Sequence, residues 1–258
     1  MVIRRIREHV TAHNWFAVGI DLAIVVVGVF LGMQVSNWNA ARIERGDTRD
    51  YRAQIIENLK ANEREIVAGA LYYQQVRGHA LATLDALEGG STRDEAFLVH
   101  AYQASQYWPV RMERSAYDEM IASGMAKNFG DPVIRRQLSS YYAGLGQFEA
   151  TAISSTAYRE RIRRALLFAV QQRIRDRCND VFRMTPGGSQ HARLPDRCTP
   201  ELPVTLIARA VTRLDETREL DQDLTRHLGD LEQKIALFDR LVRRIRQIRL
   251  HLERVGSS

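Results

Sequence analysis

Residues 19–39 read GIDLAIVVVGVFLGMQVSNWN. From Phe16 to Val35 the strongly polar residues are Asp21 and Gln34, so about 20 residues, or ~30 Å of helix, match the thickness of a hydrocarbon core. Trp15 and Trp38 bracket the run, and indole rings settle at the headgroup layer, where an apolar body and an N–H donor are both satisfied. One membrane-spanning helix over 16–38 is therefore expected, after a short basic tail over 1–15. A cleavable signal is the competing reading of the start MVIRRIREHV. Signal cores run only ~7 to 15 apolar residues and end at a small-residue site, whereas this run is longer and closes with MQVSNWN. No second apolar run of that length follows, so residues 39–258 are expected on one side of the membrane.

The remainder reads as helix. The chain of 258 residues is 45% hydrophobic and 26% charged, and six prolines and sixteen glycines leave long segments unbroken. After the span, Tyr51, Ile55, Leu59, Ile66, Tyr73, Ala80, Leu84 and Leu87 recur at helical spacing until EGGST, 88–92, supplies a left-handed glycine stop. This predicts a helix over about 40–88, reaching about 70 Å beyond Asn39. A second long helix is predicted over 131–182, through Ile134, Leu138, Tyr141, Leu145, Phe148, Tyr158, Ile162, Leu166 and Ala169, with polar TAISST at its middle. A third is predicted over 203–254. There Leu224, Leu228, Leu231, Ile235, Phe238, Val242, Ile245 and Leu252 alternate steps of three and four, as in coiled-coil packing. The expected fold is all-α: one transmembrane helix continuing into an elongated antiparallel bundle, the last helix pairing within the chain or with a second copy.

The net charge of +6 suggests an anionic partner, but both signs are interleaved along most of the chain, and no nucleic-acid partner is expected. Arginine outnumbers lysine 34 to 3, read first as coding bias. The positive-inside count does not orient the span, since Arg4, Arg5 and Arg7 flank one end and Arg42, Arg45, Arg49 and Arg52 the other. Cysteine usage does more. Cys178 and Cys198 lie in repeated DRC contexts around a loop rich in Gly, Pro and Ser, as a disulfide closing a helix-to-helix connection would. An inner-membrane protein with a cytoplasmic N-terminus and a periplasmic helical region follows. The alternative is two free thiols in a cytosolic domain. Two cysteines with His191 do not complete a zinc site, and no metal or cofactor is expected. Scattered histidines and the absence of HExxH, GxSxG or a phosphate-binding loop argue against an enzyme. Tyr72, Tyr73, Tyr107, Trp108, Tyr141 and Tyr142 are read as core aromatics before a ligand pocket.

Within the span, Gly28 and Gly32 fall about 20° to either side of Asp21 on the helix wheel, placing a GxxxG pair and a carboxylate on one face. A charged carboxylate at that depth costs several kcal/mol. Three arrangements relieve it: snorkelling or local thinning, neutralisation or pairing inside an oligomer, and uptake and release of a proton. Near the C-terminus, Arg240, Arg243, Arg244, Arg246, Arg249 and Arg254 form a cationic run that suits lipid headgroups, with a solvated helix face as the alternative.

VVVGVFLGMQVSNWNAARIER resembles an uncharacterised family of single-span bacterial membrane proteins, in which the span ends in a glutamine followed by Asn-Trp-Asn and basic residues. Gln34, Asn37, Trp38, Asn39 and Arg42 match that pattern, and SAYDEMIASGMAKNF is similar to a second family stretch. Family members carry an early acid in the span, here Asp21, and a further acid after the motif, where this chain has Ala40. The resemblance implies an inner-membrane anchor and a helical soluble region, with no activity to carry over. The expected function is an assembly, scaffold or sensor component of a membrane complex, associating as a homo-oligomer or with other membrane subunits. The alternative, by architectural analogy to B-type stator and energy-transducer subunits, is an accessory subunit of a proton-coupled complex using Asp21.

Overall fold

The computed structural model describes residues 15–184 and 190–256. The expected basic tail and the Trp15 side chain lie outside the described residues. The chain is all-α apart from one hairpin. In order it forms α1 (Trp15–Leu87), α2 (Glu95–Gln103), α3 (Ser115–Ala122), a 3₁₀ turn (Met125–Asn128), α4 (Pro132–Ala152), α5 (Ala157–Ala165), α6 (Phe168–Arg177), β1 (Val181–Met184), β2 (Gln190–Arg193), α7 (Val204–Asp215) and α8 (Leu220–Gly256). It divides into two compact units, Met1–Arg52 and Ala53–Ser258, and α1 contributes to both.

The larger unit is built on the second part of α1, which buries Ile55, Leu59, Ile66, Tyr73, Val76 and Ala80 along one stripe. The helix stops where Gly89 takes φ +87°. The Gly90 N–H then donates to Asp85 O at 2.9 Å and that of Gly89 to Ala86 O at 3.3 Å, a Schellman cap. From there the chain returns along α1. Contacts pair His79 with His100, Tyr73 with Trp108, Asn62 with Glu113 and Asn58 with Ala116, one number falling as the other rises. Asp94 caps α2, accepting from the N–H groups of Ala96 and Phe97.

The return sets the direction of α4. Asn62 bonds Tyr141 and Tyr73 bonds Ala152, each pair 79 residues apart, so α4 runs parallel to α1. α8 is antiparallel to both, joining Glu63 to Arg246 and Arg77 to Glu232 on α1, and Asp131 and Ala152 to His251 and Lys234 on the α4 side.

Two of the predicted long helices are broken. The 131–182 helix is instead α4, α5 and α6. Its first break falls within the polar stretch, where the Thr156 hydroxyl caps α5 by accepting from Arg159 N. At the second, Leu166 and Leu167 are extended and the Gln171 amide donates to Arg163 O and Leu166 O, both at 2.8 Å, satisfying carbonyls that a continued helix would have used. The 203–254 helix is α7 and α8. They are separated by a turn in which Glu219 has φ +60° and Arg161 binds Arg218 O, Glu219 and Asp223.

The loop expected between the cysteines contains the antiparallel hairpin, registered from Val181 opposite Arg193 to Met184 opposite Gln190; 185–189 lie outside the described residues. Cys178 and Cys198 stand at disulfide distance beneath it, their Cα atoms 5.3 Å apart.

The last helix also departs from its predicted stripe. Leu224, Leu231, Phe238, Val242, Ile245 and Leu252 are buried, but His227 and Lys234 are buried as well, while Leu228 and Ile235 are half-buried. The aromatic core closes around Phe238, which meets Tyr73 edge-on at 5.6 Å and Phe148 at 4.8 Å.

Candidate membrane-facing helix and interior polar cluster

Within α1, a window of mean hydropathy 2.2 has none of its residues buried. Leu22, Ile24, Phe30, Leu31 and Val35 are each more than half exposed, so the segment is long and apolar enough to cross a membrane by length and composition. Asp21 sits half-buried by its neighbours on this helix. A Cβ built on Gly28 or Gly32 meets nothing within 4 Å, so this face of the helix is open. Gln34, Asn37, Asn39 and Arg42 follow as exposed residues of the same continuous helix, with Trp38 62% exposed.

The C-terminal arginines separate into two sets. Arg246 and Arg249 face α1, where Glu63 accepts from Arg246 Nε at 2.6 Å and lies 3.5 Å from Arg249. Arg240, Arg243, Arg244 and Arg254 lie within a ~100° arc on the other side of α8. The six therefore do not form one cationic face.

A buried polar cluster lies where α4 ends. Lys234 Nζ donates to Ala152 O at 3.2 Å and Ser154 O at 3.1 Å, and sits 5.3 Å from the Tyr73 ring centroid. It thus places a cation on the carbonyl end of α4, where the helix dipole favours one. Burial lowers the Lys234 pKa, with Asp230 opposing. Two turns earlier, His227 Nε2 lies 2.8 Å from Ala104 O, and a carbonyl only accepts, so this nitrogen carries the hydrogen. Burial lowers the His227 pKa and favours the neutral ring, whose Nδ1 accepts from the Thr156 hydroxyl at 3.0 Å. Arg163 stacks over the Tyr102 ring at 3.7 Å and donates to Ser105 Oγ at 2.8 Å, while Arg159 binds Ser105 O. Each group holds a helix end or a loop carbonyl. The cluster joins the breaks in the bundle.

Periodicity alone did not expose this cluster. Its signal was two polar residues seven apart, His227 and Lys234, each three positions after a buried leucine. The tyrosines read as core are so in part: Tyr72, Tyr73, Tyr141 and Tyr142 are buried, whereas Tyr107 is 42% exposed and Trp108 half-buried. Among the described residues, no three His, Cys, Asp or Glu side chains are placed to hold a metal ion. No protein-family model, curated protein sequence or solved structure matches the chain.

Proposed function

We propose that this chain is a single-span, inner-membrane-anchored helical protein that serves as an assembly, scaffold or sensor component of a membrane complex. The carrying observation is the apolar window of α1, of mean hydropathy 2.2, none of whose residues is buried. In lipid an all-apolar helix with its backbone bonds made internally needs no other cover. Trp38 with Gln34, Asn37 and Asn39 at the end of the run supports the same depth, as does the family resemblance of that stretch. The Asp21, Gly28 and Gly32 face is the surface through which a second copy or another subunit packs. The Cys178–Cys198 pair supports a periplasmic position for the bundle.

Alkaline carbonate treatment of isolated membranes tests the anchor. The full-length chain is expected to stay in the pellet at its unprocessed mass, and Ile24→Arg with Val27→Arg to release it. Wild-type release, or an intact mass lacking the first residues, overturns the reading. A thiol reagent that cannot cross the inner membrane tests orientation: after reduction of whole cells with a permeabilised outer membrane, Cys178 and Cys198 are expected to label.

A further inference from the structure

On the larger unit, a groove of about 480 Å³ runs along the outer ridge of α1 between α8 and the hairpin. That volume is within the range of small-ligand sites. Its floor is α1 itself from Lys60 to Leu71, with Arg249 of α8 on one wall and His191 of β2 on the other. The floor is polarised along its length. Lys60 and Arg64 occupy one end, and Val67, Ala68 and Leu71 the other, all within a ~100° arc of the helix.

The cationic end brings Lys60, Arg64 and Arg249 together. One carboxylate lines the groove, Glu63, and it is already held by Arg246 and Arg249. Lys60 shares the exposed Glu57 at 2.8 Å, Arg249 also stands 4.0 Å from Glu253, and Arg64 acts on Glu57 from a distance, with no salt bridge of its own among the described residues. The other wall is closed by His191, 3.4 Å from Glu65. At the far end, Val67 and Leu71 are 38% and 57% exposed, leaving apolar surface open to solvent.

We propose that this groove binds a single-chain anionic amphiphile, its acidic head between Lys60, Arg64 and Arg249 and its acyl chain along Val67, Ala68 and Leu71. The head gains charge-assisted hydrogen bonds and the tail removes apolar surface from water. The eleven residue steps from Lys60 to Leu71 span ~16 Å, which suits an extended carboxylate of about 12 carbons: each ~1.5 Å bond advances a zigzag chain by ~1.25 Å, so its carbons reach ~14 Å and the head group completes the span. A carboxylate or a phosphate head meets the same cations. The inference stands apart from membrane anchoring, since a chain released by carbonate would carry the same groove.

The test uses the full-length chain in neutral phosphatidylcholine nanodiscs and dodecanoate carrying a diazirine at its tail. After irradiation and digestion, labelling is expected in the 67–71 segment. Unlabelled dodecanoate and dodecyl phosphate, in separate arms, are expected to compete, the tighter one identifying the head. Lys60→Glu with Arg64→Glu should reduce labelling by at least about tenfold, as should the uncharged methyl ester of the probe. Both substitutions lie outside the core, and an unchanged circular dichroism melt confirms the fold. Labelling confined to 16–38, equal labelling by the ester, or full labelling of the double variant overturns the proposal.

Discussion

The imidazoles of His79 and His100 face each other Nδ1 to Nδ1 at 2.8 Å, joining α1 to the returning α2. One nitrogen must donate and the other accept, so the contact exists only while at least one ring is neutral. Burial, with the neighbouring imidazole, pushes the His79 pKa down to about 4, and burial lowers that of His100 as well. Because the folded value lies below the unfolded one near 6.5, the unfolded chain takes up more protons between the two. Stability from this pair is thus complete above pH 6.5 and is lost as pH falls towards 4. We expect a loss of roughly 2 kcal/mol across that window, discounted for the partial exposure of both rings. Urea unfolding followed by circular dichroism at pH 7, 6, 5 and 4 measures it. His100→Phe should flatten the slope, and an unchanged slope would show that the pair is not its source.

Close approach of α1 and α8 makes a second prediction. A Cβ added to Gly69 falls 2.7 Å from Phe238 Cε2 and 3.1 Å from Val110 Cγ2, and Phe238 is fully buried against Tyr73 and Phe148. The ring has nowhere to move. Gly69→Ala should cost about 1–2 kcal/mol, the overpacking exceeding the gain in helix propensity. Gly78→Ala on the same helix and Gly144→Ala on α4, where the new methyl meets nothing within 4 Å, should each stabilise by about 0.5–1 kcal/mol. Three variants of equal melting temperature would refute the close crossing.

The carbonyl of Ala152, at the end of α4, accepts from both the Tyr73 hydroxyl, at 2.5 Å, and Lys234 Nζ. Tyr73→Phe should cost about 1–2 kcal/mol and Lys234→Met about 1–3, each leaving the carbonyl one donor. The double variant leaves it buried with none, and should exceed the sum of the single losses by about 1 kcal/mol. Additive losses in a denaturant double-mutant cycle would mean that the two groups do not share this acceptor.

The same residues show how far the sequence could be read. Leu224, Leu231, Phe238 and Ile245 were legible because steps of three and four put their side chains on one face wherever the helix lies. Lys234 and His227 were not, because their burial depends on carbonyls of Ala152 and Ala104, brought beside α8 only by the tertiary fold. The break at 153–156 was announced by its run of Thr and Ser. That at Leu166 and Leu167 was silent, since no glycine or proline marks it and its carbonyls are met by the Gln171 side chain. The parallel course of α4 was likewise hidden. It follows from the return of 93–116 along α1, a segment with only short helices and no periodicity to give its direction. The hairpin escaped because every residue of β1 is exposed, which removes the alternation by which a strand is recognised.

The residues of the apolar segment carry the last prediction. Asp21, Gly28 and Gly32 share a face of α1, and neither glycine has a neighbour within 4 Å of an added Cβ, so the face is free to receive another helix. In lipid, helices are not driven together by exclusion from water. Association rests on close backbone approach and on polar contacts worth about 1 kcal/mol each. Gly28→Leu with Gly32→Leu removes the close approach and should shift the detergent-solubilised chain from oligomer to monomer in analytical ultracentrifugation. Asp21→Asn keeps the size and hydrogen-bonding capacity of the side chain but removes its exchangeable proton. If the carboxylate is only sheltered by the contact, this variant should sediment as the wild type does, whereas Asp21→Leu should weaken assembly. If assembly survives Asp21→Asn but a proton-dependent process that requires the chain is lost, the carboxylate carries the proton. Monomer mass for the wild type and the glycine variant alike would remove self-assembly through this face.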